Sequence, residues 1–309
     1  MNLQSFPDRE SWLNARHVGG SDVAVILGVS HWSTPYDLWL VKTSRAQRLP
    51  QTPWQAFGHL VEDALIEDWC VRNGWERHPE SPTLLLIQGP EPWQTMSPDD
   101  IVHRMDGASA PDSGEHIIAG LDAKFYRYPA KSDGWGAAGT DEVPVDIYLQ
   151  MQWGMHCSGL DEWHVVSAFH QVAEIRDYVI RRDDVVIDHI VEKCGAWHQK
   201  HIIEDIAPEL QVGPVANLFH GSVAQTGSGS RRATEAERET IKAREAARQQ
   251  RLDAKKLQAL LDLRLKEAIG EDEGLWHDDC RATWKTAANG SRRLNTKVWD
   301  IDTDLKENQ

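Results

Sequence analysis

Apolar positions along the first two hundred residues switch repeatedly between a spacing near 3.6 and strict alternation, the two periods that separate helices from strands. "GGSDVAVILG" (19–28) reads as a Gly-Gly turn feeding a helix with Ser21 or Asp22 as its N-cap. "TPYDLWLVKTS" begins a second helix with Pro35 in its first turn. "QAFGHLVEDALIEDWCVRNGW" is a longer one that stops near Asn73-Gly74. Strand patterns follow in "PTLLLIQ", "WQTMSPDDIVH" and "EHIIAGLDAKFY". "VPVDIYLQMQWGMHCSG" returns to helix and ends at Gly159, after which "EWHVVSAFH" and "AEIRDYVIRR" read as a strand pair. Helices, three strands, a helix, two strands and a final helix predict an α/β chain with a central mixed sheet flanked by helices.

The pattern changes after residue 219. "HGSVAQTGSGSRR" (220–232) is small and polar and reads as a linker. It separates a folded body, 1–219, from an extension, 233–309. Within the extension, 233–269 predicts a long charged helix whose Leu257, Leu261, Leu265 and Ile269 recur every fourth residue and seek a partner. "RATWKTAANGSRRLNTKVW" (281–299) has five basic residues, no acidic one and an Asn-Gly turn, which predicts a basic hairpin.

Composition narrows the function classes. The chain has 309 residues, enough for one large domain or two ordinary ones. Cys70, Cys157, Cys194 and Cys280 lie far apart with no CxxC, so neither a zinc ribbon, an iron–sulfur cluster nor a disulfide framework is predicted. The start "MNLQSFPDRE" lacks a basic stretch followed by an apolar one, and no run nears the roughly 18 apolar residues that span a bilayer. A cytoplasmic protein without a membrane partner is expected. Net charge is −15, but residues 231–270 hold 11 Lys/Arg against 7 Asp/Glu and residues 271–309 hold 6 against 9, leaving −16 on residues 1–230. A polyanion would have to meet local cations or a bound metal rather than bulk charge. "GGSD" is too short for a dinucleotide site, and the His-containing stretches "HVVSAFH" and "WHQKH" lack acids at ligand spacing.

Chemistry enters with "AGLDAKFY" (119–126). In a strand, Asp122 and Lys124 share one face while Leu121, Ala123 and Phe125 share the other. On the helix covering 60–72, with Val61 set to zero, Leu65, Trp69 and Ile66 fall near ~40°, ~80° and ~140° and Glu62 near ~100°, the middle of the apolar stripe. A carboxylate there needs a partner, either an arginine or a cation. In "MSPDDIVH", Pro98 predicts a bulge that puts Asp99 at a strand kink beside Asp122 and Lys124. Several carboxylates together suit a hard divalent cation. A lysine beside them can orient a water or stabilise charge developing on a phosphate oxygen.

A helix glutamate, then "SPD", then "GLDAK" resembles the PD-(D/E)xK nucleases, specifically the λ-exonuclease/YqaJ-type phage recombination exonucleases. "RHVGGSDVAVILGVSHWSTPYDLW", "FGHLVEDALIEDW" and "WGAAGTDEVPVDIYLQMQWGMHCSGLDEWHVV" are similar to that family's layout, over roughly residues 10–185. The resemblance implies a restriction-endonuclease-like core. It implies Glu62, Asp99, Asp122 and the Ala123 carbonyl as metal ligands, Lys124 as catalytic lysine, and Gln150, or less readily Gln152, as the residue placing water or phosphate. Arg16 and Ser21 would hold the 5′ phosphate of the cleaved strand, for which a helix N-terminus is suited. Two Mg²⁺ ions per site, replaceable by Mn²⁺, are implied. The acid before Lys124 is Asp where Glu is common, and Asp100 follows Asp99 where Gly is usual, leaving open which of the two ligates.

The activity implied is 5′-to-3′ digestion of linear double-stranded DNA, leaving 3′ single-stranded tails for homologous recombination in a phage or prophage setting. A homo-oligomeric ring, trimer or tetramer, and a single-strand annealing protein would be its partners. Two other readings stand beside it: a structure-specific endonuclease on the same fold, and a non-catalytic module that binds DNA ends. A binding module has no need to gather three acids around one lysine.

Overall fold

The computed structural model describes residues 2–46, 52–79, 84–105, 116–211, 230–286 and 291–298. The chain divides into two compact units, Met1–Ala224 and Gln225–Gln309. That boundary and most of the expected linker, all but 230–232, lie outside the described residues.

The first unit opens with β1 (Asn2–Ser5) and three short helices, α1 (Arg9–Ala15), α2 (Gly20–Ile26) and α3 (Pro35–Lys42). The long helix α4 (Pro53–Asn73) follows. Then come β2 (Glu76–Arg77), β3 (Leu85–Gln88), β4 (Thr95–Met96), β5 (Asp100–Met105) and β6 (His116–Tyr126). Helix α5 (Val145–Ser158) connects β6 to β7 (Glu162–Phe169), with β8 (Glu174–Arg181) and α6 (Asp184–Trp197) completing the unit. The main sheet runs β2-β5-β6-β7-β8. It is mixed: β6 and β7 pair parallel, so the chain needs the α5 crossover between them, and the other neighbours pair antiparallel. A smaller antiparallel sheet joins β1, β3 and β4.

Alternation along β6 and β7 sorts the core. Leu121, Ala123 and Val166 turn to one face, where Leu65, Ile66, Trp69 and Cys70 of α4 cover them. Each of the larger aliphatic side chains among them contributes about 1.5–3 kcal/mol. Trp163, Val165, Phe169, Tyr178 and Ile180 fill the other face beneath α5, most of whose residues are buried. Helix α4 ends at Gly74 (φ 67°) and α5 at Gly159 (φ 75°), left-handed caps that a side chain would disfavour.

Three local expectations are corrected. Helix α2 is capped by Gly19, not Ser21 or Asp22, because Asp22 reaches back to accept the Gly19 N–H at 2.8 Å. Thr95 to Asp100 is not one bulged strand: β4 belongs to the small sheet and β5 to the large one, and Ser97-Pro98-Asp99 is the crossing between them. In the second unit, α7 (Glu235–Ile269) is capped by Thr234, and the expected hairpin is a three-stranded meander of β9 (Gly274–His277), β10 (Cys280–Thr286) and β11 (Arg292–Val298). The Asn-Gly turn itself lies outside the described residues. Of the apolar face expected on α7, Ile269 is buried, while Leu257 and Leu261 stay exposed.

Among the described residues no helix is long and apolar enough to cross a membrane.

Candidate active site

Strand β6 presents Asp122 and Lys124 on the face beneath α5. Lys124 Nζ donates to Asp122 Oδ1 at 2.7 Å and lies 3.9 Å from Asp99 Oδ2. Gln150 Nε2, from α5, donates to the same Asp122 oxygen at 3.1 Å, and the indole of Trp163 donates to Asp122 Oδ2 at 2.9 Å. Asp122 is fully buried, yet three donors replace the water it lost. Lys124 and Asp99 keep 18% and 25% of their side-chain surface, so the cluster opens at one end to solvent.

The sheet crossing decides between the two neighbouring aspartates. Asp99 precedes β5 and accepts the Ala123 N–H at 2.9 Å, which ties it to β6 inside the cluster. Asp100 stands opposite Leu121 in the ladder, hence on the α4 face, where Arg77 holds it. Burial, then the charge of Asp122, push the Asp99 carboxyl up. Lys124 opposes that rise, Glu62 adds to it, and the Ala123 N–H counters it. For Lys124, burial opposes the charged form, but Asp122 and Asp99 outweigh it and raise the ammonium above its usual range. The lysine is therefore a fixed cation, not a resting base.

Glu62 is on the α4 stripe as expected, but at an end where it remains 30% exposed. Its partner is His59, 3.0 Å away and one turn earlier, rather than an arginine. Among the described residues, the trio of His, Cys, Asp or Glu whose ligand atoms lie within 4.8 Å of one another is His277, Asp279 and Cys280, in the second unit. Asp99 and Asp122 meet around Lys124, and Glu62 is near enough that its charge adds to the rise of the Asp99 carboxyl, while its own contact is with His59. The Ala123 N–H is given to Asp99, which brings the Ala123 backbone to the edge of the cluster. Gln152 is fully buried and structural, donating to the Arg181 carbonyl at 2.8 Å and accepting the Asp183 N–H at 2.9 Å, so Gln150 alone reaches the cluster.

The start of α2 adjoins this site. A Cβ at Gly20 would stand 2.9 Å from Gln150 Cγ, so only glycine lets the helix seat against the glutamine. Ser21, next along, is exposed on the first turn. The Arg16 guanidinium stacks 4.4 Å from the Trp12 ring centre and lies 3.9 Å from where a Gly19 Cβ would be, so Arg16 and Ser21 share one helix end. Asp22 occupies that end too, ion-paired with Lys42 at 2.6 Å.

Trp163 and His59 were not legible as site residues. Trp163 lies 41 positions from Asp122 in the chain, and only the parallel β6–β7 pairing brings them together. A row of rings also flanks the strand end: Phe125 stacks on His170 (5.2 Å), His170 on Trp54 (5.5 Å), and Phe57 meets Phe125 edge-on (5.4 Å). Trp54 and Phe57 are 64% and 47% exposed.

Residues 11–161 match the family model of the YqaJ-like viral recombinase domain. The curated protein YqaJ of Bacillus subtilis (strain 168), itself described as uncharacterized, is 37% identical over 83 residues, 23% of this chain and 26% of that protein. The match therefore spans about a quarter of the relative's length. Among solved structures, the alkaline exonuclease LHK-Exo of Laribacter hongkongensis is similar with a TM-score of 0.44 at 17% identity, over 63% of this chain and 93% of that one. A phage-related exonuclease from Haemophilus somnus 129PT gives 0.39 at 14% identity, over 62% and 96%. Likenesses this distant do not bear on residue roles. The family match spans the "SPD" crossing, the Asp122–Lys124 strand and Gln150 alike, so that just under half of this chain is similar to a YqaJ-like viral recombinase domain.

Proposed function

We propose that the first unit is a divalent-metal-dependent exonuclease that degrades one strand of linear duplex DNA from its 5′ end. The observation that carries this reading is the Lys124 ammonium set 2.7 Å from Asp122 and 3.9 Å from Asp99, with Gln150 on the same Asp122 oxygen. The family match to a viral recombinase domain supports it.

The donor set fits a hard cation. Two carboxylates meet at the cluster and a third adds its charge, against one ammonium, and burial together with that surplus raises Asp99. Asp99 and Asp122 would hold Mg²⁺ or Mn²⁺, with Glu62 and the Ala123 carbonyl completing the set for one ion or two. When bound, such a cation supplies Lewis-acid stabilisation of charge on the phosphate oxygens. The chain's own groups do the rest. Lys124, held protonated, orients the attacking water and donates to the phosphate as charge grows on it. Gln150 donates to Asp122 at 3.1 Å and lies where the start of α2 meets the site. Arg16 and Ser21, at that helix end, would take the terminal 5′ phosphate. The exposed rings of Trp54 and Phe57 suit contact with unpaired bases, which stack on aromatic faces whatever their sequence.

On this reading the product is a 3′ single-stranded tail for an annealing protein, made in the cytoplasm of a bacterial host. Assembly into a trimeric or tetrameric ring would let a duplex thread past the few cations while the acidic exterior faces away. The test is incubation with linear and nicked-circular duplex DNA, with Mg²⁺ or with chelator. Digestion confined to linear DNA and lost on chelation is expected. Internal cuts would favour the structure-specific endonuclease, and binding without digestion the DNA-end module.

A further inference from the structure

We infer that Trp163 is a positioning residue for the candidate metal ligand Asp122, seated in a slot that Gly120 and Gly154 leave open for it. The inference rests on the nuclease reading only in taking Asp122 as a metal ligand.

In the parallel pair, Trp163 stands beside Gly120, and the next same-face pair is Val165 with Asp122. Paired positions in a sheet share a face, so the indole lies alongside the strand that carries the acid. A Cβ on Gly120 would come within 2.3 Å of the Trp163 ring, and one on Gly154 of α5 within 2.6 Å. No side chain larger than hydrogen fits at either position without moving the ring. The indole, fully buried, is thus pressed between β6 and α5, with its N–H 2.9 Å from Asp122 Oδ2.

The two Asp122 oxygens are treated differently. Oδ1 takes Lys124 and Gln150, which fills both of its acceptor positions. Oδ2 takes Trp163 alone and keeps one position. Lys124 and Gln150 both sit on flexible stems, whereas Trp163 is wedged. The indole is therefore the contact that fixes the carboxylate plane and determines where the remaining Oδ2 lone pair points. Partners that orient a ligand in this way typically alter metal affinity or activity by about 10- to 100-fold when removed.

Trp153 is a matched control. It is equally buried, and its N–H donates to the Thr95 carbonyl at 2.9 Å rather than to a candidate ligand. The experiment measures Mn²⁺ affinity of the full chain by electron paramagnetic resonance of free Mn²⁺, which needs no cleavage. Trp163→Phe is expected to weaken Mn²⁺ binding by at least tenfold, and Trp153→Phe to leave it within about twofold. A benzothienylalanine at position 163, which keeps the bicyclic ring and lacks only the N–H, should reproduce the loss even if the smaller phenyl ring unfolds the core. Equal affinity for the benzothienyl and unmodified proteins, or an equal loss in both Phe variants, overturns the inference. If the unmodified protein binds no Mn²⁺, or if Asp122→Asn binds it as well as the unmodified protein, the metal-site reading fails instead.

Discussion

Replacing Asp99 by asparagine should abolish catalysis and at the same time strengthen the metal-free fold. An asparagine carbonyl can still accept the Ala123 N–H that Asp99 takes at 2.9 Å, so the sheet crossing stays tied. What changes is charge. At 3.9 Å, and with an effective dielectric of 20, Lys124 attracts the Asp99 carboxylate by about 4 kcal/mol. Against this stand a burial cost of several kcal/mol for an ionised carboxylate and repulsion from Asp122 and Glu62. The carboxyl is held above its ordinary range, so the opposing terms win. Each pH unit of such displacement corresponds to about 1.4 kcal/mol, and the carboxyl is pushed up to about 8, so the gain from Asp99→Asn is on the order of 3–6 kcal/mol once the carboxyl must ionise.

The pH dependence has a definite sign. A raised carboxyl binds its proton in the folded state after the unfolded chain has lost it, so stability falls as pH rises from about 4 upward. The variant lacks that slope. Urea melts in chelator at about pH 5 and about pH 8 should show a modest gain for the variant at the lower pH, where the unfolded chain has already released the proton, and a larger gain at the higher one. A variant less stable than the parent at the higher pH, or a gain of equal size at both, would refute the electrostatic argument.

Other outcomes follow from the same geometry. Lys124→Ala should remove cleavage while leaving binding of DNA ends within a few-fold by fluorescence anisotropy, since the ammonium serves the reacting phosphate and not the duplex. Gly120→Ala should lower stability by at least about 1–3 kcal/mol in a urea melt, because its methyl would meet the Trp163 ring. Trp54→Ala should weaken affinity for single-stranded DNA by about 1–3 kcal/mol while leaving blunt duplex affinity unchanged. Deleting 231–309 should flatten the salt dependence of DNA affinity by about 0.9 per lost phosphate contact. An unchanged slope would take the basic extension out of DNA binding.

How much of this was legible in the chain depends on the range of the interaction. Asp122 and Lys124 are two apart on a strand, and alternation alone put them on one face. Pro98 pointed to Asp99 and the family resemblance supplied Gln150, and geometry then separated Gln150 from Gln152 and Asp99 from Asp100. Asp99 and Asp100 could not be told apart in sequence because a sheet crossing, not a bulge, sets their directions. Ser97-Pro98-Asp99 leaves one sheet and enters another, a switch without a local signal. Glu62 was placed on the correct stripe, but helix phase does not say where along its length the stripe runs out of core. Trp163 was invisible because its role depends on two glycines in other elements and on a parallel pairing made across 41 residues.

The most direct test of the central claim uses linear duplex DNA labelled on the 5′ end of one strand or on its 3′ end, followed with Mg²⁺ over time. The account predicts that 5′-labelled nucleotide is released first, that the 3′ label persists on single strands, and that chelator or Lys124→Ala stops both. Release that begins at the 3′ label, or digestion that continues with Lys124→Ala, would contradict it.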